Sequence, residues 1–277
     1  LAGDAFMKRN YKLAKTYYNR ALARDSDNED ALFGLGQTEY YLENDDSAKK
    51  SLEKLLEKNP DYAPAYLYLG KIAAANNEYK IASDYAKTAI EKDPTQYDYF
   101  MDYGMYERYL GHYDAAEEAW TQAIQIESGY FLAYAYRAGL YDERNMFPQA
   151  LADYKKVVEL NPEYYFAHES LGVLALHEKQ WSTARASFEE CYKKNPANVS
   201  YPLMVTYCYY MEGNDIEARN FSNQALRVMD RNTIEYTMLR VYHDKAGEMP
   251  LPQRIAALKN RNLRGKMYFY LGLFYDM

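Results

Sequence analysis

Apolar residues recur every three or four positions along most of the chain, in segments about three turns long separated by short polar stretches. Leu69 and Ala73 fall on one face of such a segment, and Ala82 and Ala86 fall on one face of the next. The polar stretch Asn76-Asn77-Glu78 lies between them. This pattern predicts a helix, a tight turn and a second helix.

The helix pairs repeat with a period of 34 residues, the distance from Ala14 to Ala48. Small side chains let two helices approach closely, and proline ends a helix because its ring and its missing amide proton prevent continuation. The repeating alanines are Ala14, Ala48, Ala82, Ala116, Ala150, Ala184 and Ala218. The repeating glycines and prolines are Gly36, Gly70, Gly104, Gly172, Pro60, Pro94, Pro162 and Pro196. Since neither helix of a pair buries its apolar face alone, neighbouring pairs are expected to stack.

This periodicity predicts a single repeat array over residues 1–277. We place a partial repeat at 1–28, full repeats at 29–62, 63–96, 97–130, 131–164, 165–198 and 199–232, a degenerate repeat at 233–264 and a partial repeat at 265–277.

The repeated residues resemble the tetratricopeptide repeat. The match runs through Ala65-Tyr66, Leu69-Gly70, Tyr79, Ala82, Ala89-Ile90 and Asp93-Pro94, and it recurs over nearly the whole chain. The resemblance implies an all-α fold, a right-handed α-solenoid superhelix of stacked antiparallel helix pairs. It also implies a protein-binding scaffold.

The pattern departs from the family near the end of the chain. The stretch Gly247-Glu248-Met249-Pro250-Leu251-Pro252 interrupts the repeat, and we expect Pro252 to open a second helix there. Leu1-Ala2 and the apolar run Tyr268 to Tyr275 resemble parts of first helices. We therefore expect the chain to be a segment of a longer array or a larger protein.

Composition and charge narrow the range of partners. The net charge of −7 disfavours a general attraction to nucleic acid or to an anionic membrane. A basic cluster from Arg254 to Lys266 is more typical of a solvated helix face than of a binding site. No apolar run approaches the length of a membrane-spanning helix, and no targeting segment is visible, so the compartment stays unassigned.

Candidate catalytic and metal-binding residues do not form a recognisable motif. His112, His168, His177 and His243 have no metal-ligand spacing. Cys191 takes a position that alanine holds in other repeats, so it indicates a small buried residue. We therefore predict that the chain is not an enzyme and needs no cofactor or metal.

In tetratricopeptide proteins the first helices line a concave groove, and the resemblance implies which residues face it here. The lining is rich in aromatic residues and methionine, which suits an apolar peptide or an amphipathic helix. The predicted groove residues are Phe33, Gln37, Tyr40, Tyr41, Leu67, Tyr68, Lys71, Met101, Met105, Arg108, Tyr109, Tyr136, Phe166, Glu169, Val173, Met204, Tyr207 and Met211, and the register also places Asp102, Leu132, Asp142, His177, Leu203 and Tyr210 in the groove.

Two alternatives remain open at this point. The groove is either accessible to a ligand or filled by its own side chains packing together. The array is either an interaction scaffold for a protein or peptide partner, or an accessory that presents a substrate or ligand to an enzyme or transport system outside this segment. Some family members hold a C-terminal carboxylate with Lys, Asn and Arg residues on successive first helices. Other residues stand at the corresponding positions here, for example Phe33 and Gln37.

Overall fold

A computed structural model describes residues 1–277 as helices joined by short turns, without a β-strand. This confirms the predicted all-α fold of stacked helix pairs. The helices are α1 (Ala2–Met7), α2 (Tyr11–Leu22), α3 (Glu29–Tyr41), α4 (Asp45–Lys58), α5 (Ala63–Ala75), α6 (Tyr79–Lys92), α7 (Tyr97–Tyr109), α8 (Tyr113–Ile126), α9 (Phe131–Glu143), α10 (Phe147–Leu160), α11 (Tyr165–His177), α12 (Trp181–Lys194), α13 (Ser200–Met211), α14 (Asp215–Val228), α15 (Ile234–Asp244), α16 (Leu251–Ala256) and α17 (Arg261–Asp276).

Helix ends coincide with the stop signals in the sequence. Helices α4, α6, α10 and α12 each end shortly before one of the repeating prolines. The irregular stretch after α15 forms a connection, and Pro252 lies in the first turn of the six-residue helix α16. The next helix, α17, begins at Arg261, before the boundary that we placed at residue 265.

The chain divides into two compact units, Leu1–Leu140 and Tyr141–Met277. In unit 1, Leu52 and Leu55 of α4 are fully buried against Leu32 and Leu69. In unit 2, the core near the end of the chain contains fully buried Leu203, Met238, Leu239, Tyr242, Leu251, Ile255 and Met267. Each unit therefore has its own apolar core.

The small residues of the repeat lie where two helices come close together. All seven repeating alanines, from Ala14 to Ala218, have no exposed surface. A Cβ added at Gly104 would meet the ring of Trp120 at 2.6 Å, and one added at Gly172 would meet the ring of Phe188 at 2.8 Å. The predicted role of these glycines, close packing of the first helix on the second, is confirmed at both positions.

The turns within the helix pairs show a further 34-residue repeat, one of backbone conformation, that is not apparent from the sequence. One residue in each turn has a left-handed backbone with φ between +55° and +79°, and non-glycine side chains occupy most of these positions. The amide of the residue that follows donates a hydrogen bond back to the first helix and so caps its end. The Asn44 amide, for example, donates to the Glu39 carbonyl at 2.9 Å. The left-handed residues are Arg9, Glu43, Asn77, Gly111, Asn145, Lys179 and Gly213.

Replacing Gly104 tests the close helix contact. We expect Gly104→Ala to lower the free energy of unfolding relative to Gly265→Ala by about 1–3 kcal/mol, because the added methyl group forces the buried Trp120 ring to move. Gly265 is the matched control, since a Cβ there meets nothing and Ala gains the same helix propensity. Urea unfolding followed by circular dichroism measures both; equal stability of the two variants would contradict the contact.

Candidate functional site

In unit 1, the predicted groove residues pack mainly against one another. The ring of Tyr68 lies 5.8 Å from that of Phe33 and 5.5 Å from that of Tyr40, both with edge-to-face geometry. Tyr41 stacks on Tyr11 with ring centres 5.1 Å apart. Such pairs are favourable beyond the area that they bury. The first-helix face formed by α3 and α5 is therefore partly covered by contacts between its own aromatic side chains.

An ion pair lies beside this aromatic cluster. Lys71 Nζ lies 3.4 Å from Asp102 Oδ2, yet that oxygen is enclosed and accepts no well-formed hydrogen bond. Burial raises the pKa of the Asp102 carboxyl, Lys71 opposes the rise, and nearby Asp98 adds to it. The pKa of Asp98 is also raised, again mainly by burial. Two partly buried carboxyl groups thus share one ammonium group.

Accessibility differs among the predicted residues. Leu67 and Met101 are buried in unit 1, as are Met204 and Tyr207 in unit 2, so these four side chains do not form an accessible surface. Tyr109 is 63% exposed, but its ring stacks on that of Tyr79. The half-buried residues are Phe33, Gln37, Tyr40, Tyr68, Lys71, Met105, Arg108, Tyr136 and Met211.

In unit 2, the first-helix face carries two cavities that share Val173. One has a volume of about 300 Å³ and the other about 360 Å³. Phe166 is 71% exposed and Val173 55% exposed, although both are large apolar side chains. The first cavity is lined by Asp142, Phe166, Glu169, Ser170, Val173 and Leu174. Four of these are residues that the sequence predicted for the groove: Asp142, Phe166, Glu169 and Val173.

The second cavity includes residues that the sequence analysis did not predict. Phe269, Leu273 and Asp276 of α17 line it together with Val173 and His177 of α11. The Tyr207 hydroxyl donates a hydrogen bond to Asp276 Oδ2 at 2.9 Å and so joins α13 to α17. Because α17 follows an irregular connection, the 34-residue register does not predict which of its residues reach this face.

Unit 1 has a further cavity away from the predicted groove. It has a volume of about 280 Å³ and is lined by residues of α6, α7 and α8, among them Ile90, Phe100, Tyr103 and Ala119. No residue of the predicted groove lines it.

Reactive side chains are held in structural roles. Burial raises the pKa of both the Cys191 and Cys208 thiols to about 12, and neither forms a disulfide. Ser222 lies 2.9 Å from His243 Nδ1, but the serine is fully buried and its hydroxyl donates to the Ala218 carbonyl at 2.7 Å. A serine held in this way is not positioned to attack a substrate.

Neither a metal site nor a membrane helix is apparent. His, Cys, Asp and Glu side chains do not gather into a group of three or more suited to a metal ion. No helix has both the length and the apolar character required to cross a bilayer.

A family model for the tetratricopeptide repeat matches residues 1–48, 35–97 and 137–199, more than half of the chain. The chain belongs to the tetratricopeptide repeat family. Proteins of this family are generally interaction scaffolds without catalytic activity. The family assignment agrees with the closely packed glycines and alanines of the helix pairs.

Curated relatives of this tetratricopeptide repeat protein are considerably longer. Tetratricopeptide repeat protein 6 of Homo sapiens is 27% identical over 179 residues, which cover 63% of this chain and 34% of the relative. Hsp70-Hsp90 organizing protein 2 of Arabidopsis thaliana is 22% identical over 237 residues, covering 72% of this chain and 41% of the relative. The chain thus spans between about a third and two fifths of their length.

Solved structures show the same fold. The C-terminal part of a tetratricopeptide repeat-containing protein from Cytophaga hutchinsonii superposes with a TM-score of 0.65 at 18% identity, covering 85% of this chain and 97% of that one. MamA superposes with a TM-score of 0.53 at 25% identity, covering 59% of this chain and 95% of that one.

The raised pKa of Asp102 predicts a pH dependence for the stability of the tetratricopeptide array. A carboxyl whose pKa is higher in the folded state than in the unfolded state favours folding when protonated, so its contribution is lost as pH rises above about 4. We expect the stability of the natural chain relative to Asp102→Asn to fall from pH 4 upward, as measured by urea unfolding.

Asp93 provides a control of opposite sign. Hydrogen bonds from Thr95 lower the pKa of the Asp93 carboxyl, so its contribution is present above about pH 4 and is lost on acidification. The stability of the natural chain relative to Asp93→Asn should therefore rise with pH. A stability difference for Asp102→Asn that also rises, or that does not change, would contradict the electrostatic account.

Proposed function

We propose that this chain is a non-catalytic protein-interaction scaffold that binds a peptide or helical segment on the first-helix face of residues 141–277. The observation that carries the proposal is the exposure of Phe166 and Val173 beside two cavities on one helix face. Exposed large apolar residues next to concave surface are typical of binding sites for apolar side chains. Relatives named for organizing Hsp70 and Hsp90 support the scaffold role.

The aromatic face of unit 1 is less suited to this role. Phe33, Tyr40 and Tyr68 already bury one another's rings, and a ligand there would have to replace those contacts. The Phe166 ring contacts the rings of Tyr164 and Tyr165 edge-to-face, but Phe166 and Val173 can still gain burial because more than half of each side chain is exposed. The proposed groove therefore includes Phe166, Glu169 and Val173 of the predicted set and adds Phe269 and Leu273.

The free energy gained by burying Phe166 and Val173 limits the affinity that these two residues alone can provide. Fully burying one large apolar side chain contributes about 1.5–3 kcal/mol, and because Phe166 is 71% exposed and Val173 55% exposed, the two together contribute about 2–4 kcal/mol. Micromolar affinity requires about 8 kcal/mol. Further contacts with the ligand must therefore supplement the burial of these two residues.

Nothing in the chain favours the alternative of an accessory that presents substrate to an enzyme or transport system. The two cavities on the first-helix face are the concave surface that either role would use. Their lining combines aliphatic, aromatic and carboxylate groups, which suits recognition of a protein segment.

Selection of peptides by the purified chain tests the proposal. A library of random peptides displayed on phage is selected against the natural chain, and enriched peptides are synthesised. We expect them to carry apolar anchors and to lose about tenfold or more in affinity for Phe166→Ser and for Val173→Ser, because each substitution removes burial of a large apolar side chain. Fluorescence anisotropy measures the affinities.

Ile216→Ser is the matched control, because Ile216 is also a large exposed apolar residue, 75% exposed, but lies on the second helix α14. Its affinity for the peptides should equal that of the natural chain. The proposal fails when enriched peptides bind both first-helix variants as tightly as the natural chain, or when Ile216→Ser is the variant that loses binding.

A further inference from the structure

The cavity of about 300 Å³ in unit 2 combines apolar walls with two carboxylates. Phe166, Val173 and Leu174 provide the apolar surface, and Asp142 and Glu169 provide the charge. No lysine, arginine or histidine lines this cavity. A volume near the lower end of the range for small-molecule sites suits a single long side chain better than a folded element.

Neither carboxylate has a partner of opposite charge within the chain. Asp142 and Glu169 form no ion pair, and no side chain donates a hydrogen bond to either carboxyl group. Burial raises the pKa of the Asp142 carboxyl, and neighbouring Glu143 adds to the rise without any cation to oppose it. This situation differs from that of Asp102, which has Lys71 within 3.4 Å.

We propose that this cavity receives an arginine side chain of the bound segment, with the guanidinium group between Asp142 and Glu169 and the methylene groups against Phe166 and Val173. The inference rests on the proposed scaffold function and names the chemistry of the partner. It supplies the polar contacts that apolar burial alone does not provide.

Charge complementarity and the aromatic wall both favour arginine. A guanidinium group is planar, donates several hydrogen bonds to carboxylates and is more weakly hydrated than an ammonium group. Phe166 is 71% exposed, so its ring is available for a cation to stack on. The two carboxylates, Asp142 and Glu169, would both lie next to the single positive charge of the guanidinium group. The net charge of −7 also speeds association with a basic segment.

The sequences of peptides selected by the natural chain give the first test. We expect arginine to be enriched beside the apolar anchors relative to the unselected library. The best peptide is then resynthesised with citrulline, which has nearly the same shape but no charge, in place of arginine. We expect about tenfold weaker binding of the citrulline peptide, because a charge-assisted contact is lost.

The double variant Asp142→Asn/Glu169→Gln tests whether the preference for arginine over citrulline depends on these two carboxylates. Its affinities for the arginine and citrulline peptides should be equal, because the carboxylates that distinguish them are gone. Circular dichroism and thermal melting establish that the variant is folded. The comparison of the two peptides on the natural chain needs no variant, so it tests the arginine contact even when the double variant does not fold.

The outcomes separate this inference from the proposed function. Peptides that depend on Phe166 but show no preference for arginine, or that bind equally well with citrulline, would overturn the arginine site and leave the scaffold proposal intact. Equal enrichment of lysine would overturn the assignment to a guanidinium group. Enriched peptides that do not depend on Phe166 or Val173 would overturn both.

Discussion

The close approach of the two helices in each repeat is the constraint on which the structure depends. In most repeats a residue with a small side chain stands where the first helix meets the second, such as Gly104 under Trp120 and Gly172 under Phe188. The seven repeating alanines, all without exposed surface, complete the contact from the second helix. With these positions used for packing, the remaining faces of the first helices are available for other contacts.

The two units use those faces differently. In unit 1, tyrosines such as Tyr40 and Tyr68 extend the packing outward, so the surface is covered by rings that already contact one another. In unit 2, the corresponding face carries Phe166 and Val173, each more than half exposed, beside cavities with carboxylate groups. The same kind of helix pair thus carries either aromatic side chains in mutual contact or exposed apolar side chains beside cavities, depending on the residues outside the small-residue contact.

The sequence predicts the helix pairs because packing positions recur at a fixed interval, and the contacts of Gly104 and Gly172 confirm their role. The sequence does not reveal the left-handed turn residues, because Arg9, Glu43 and Lys179 occupy positions where a glycine would have indicated a left-handed backbone. It also assigns some buried residues to an accessible face. Helix register assigned Leu67 and Met204 to the surface, whereas neighbouring helices bury them, and Phe269 lies on α17 beyond the regular register.

The proposed ligand site is the first-helix face of residues 141–277. The most direct measurement is a crystal structure of the chain with its tightest selected peptide. We expect the peptide to lie along α11, with an apolar side chain against Phe166 and Val173 and an arginine next to Asp142 and Glu169. A peptide seated on the second helices, or on the aromatic cluster of Tyr40 and Tyr68, would contradict it.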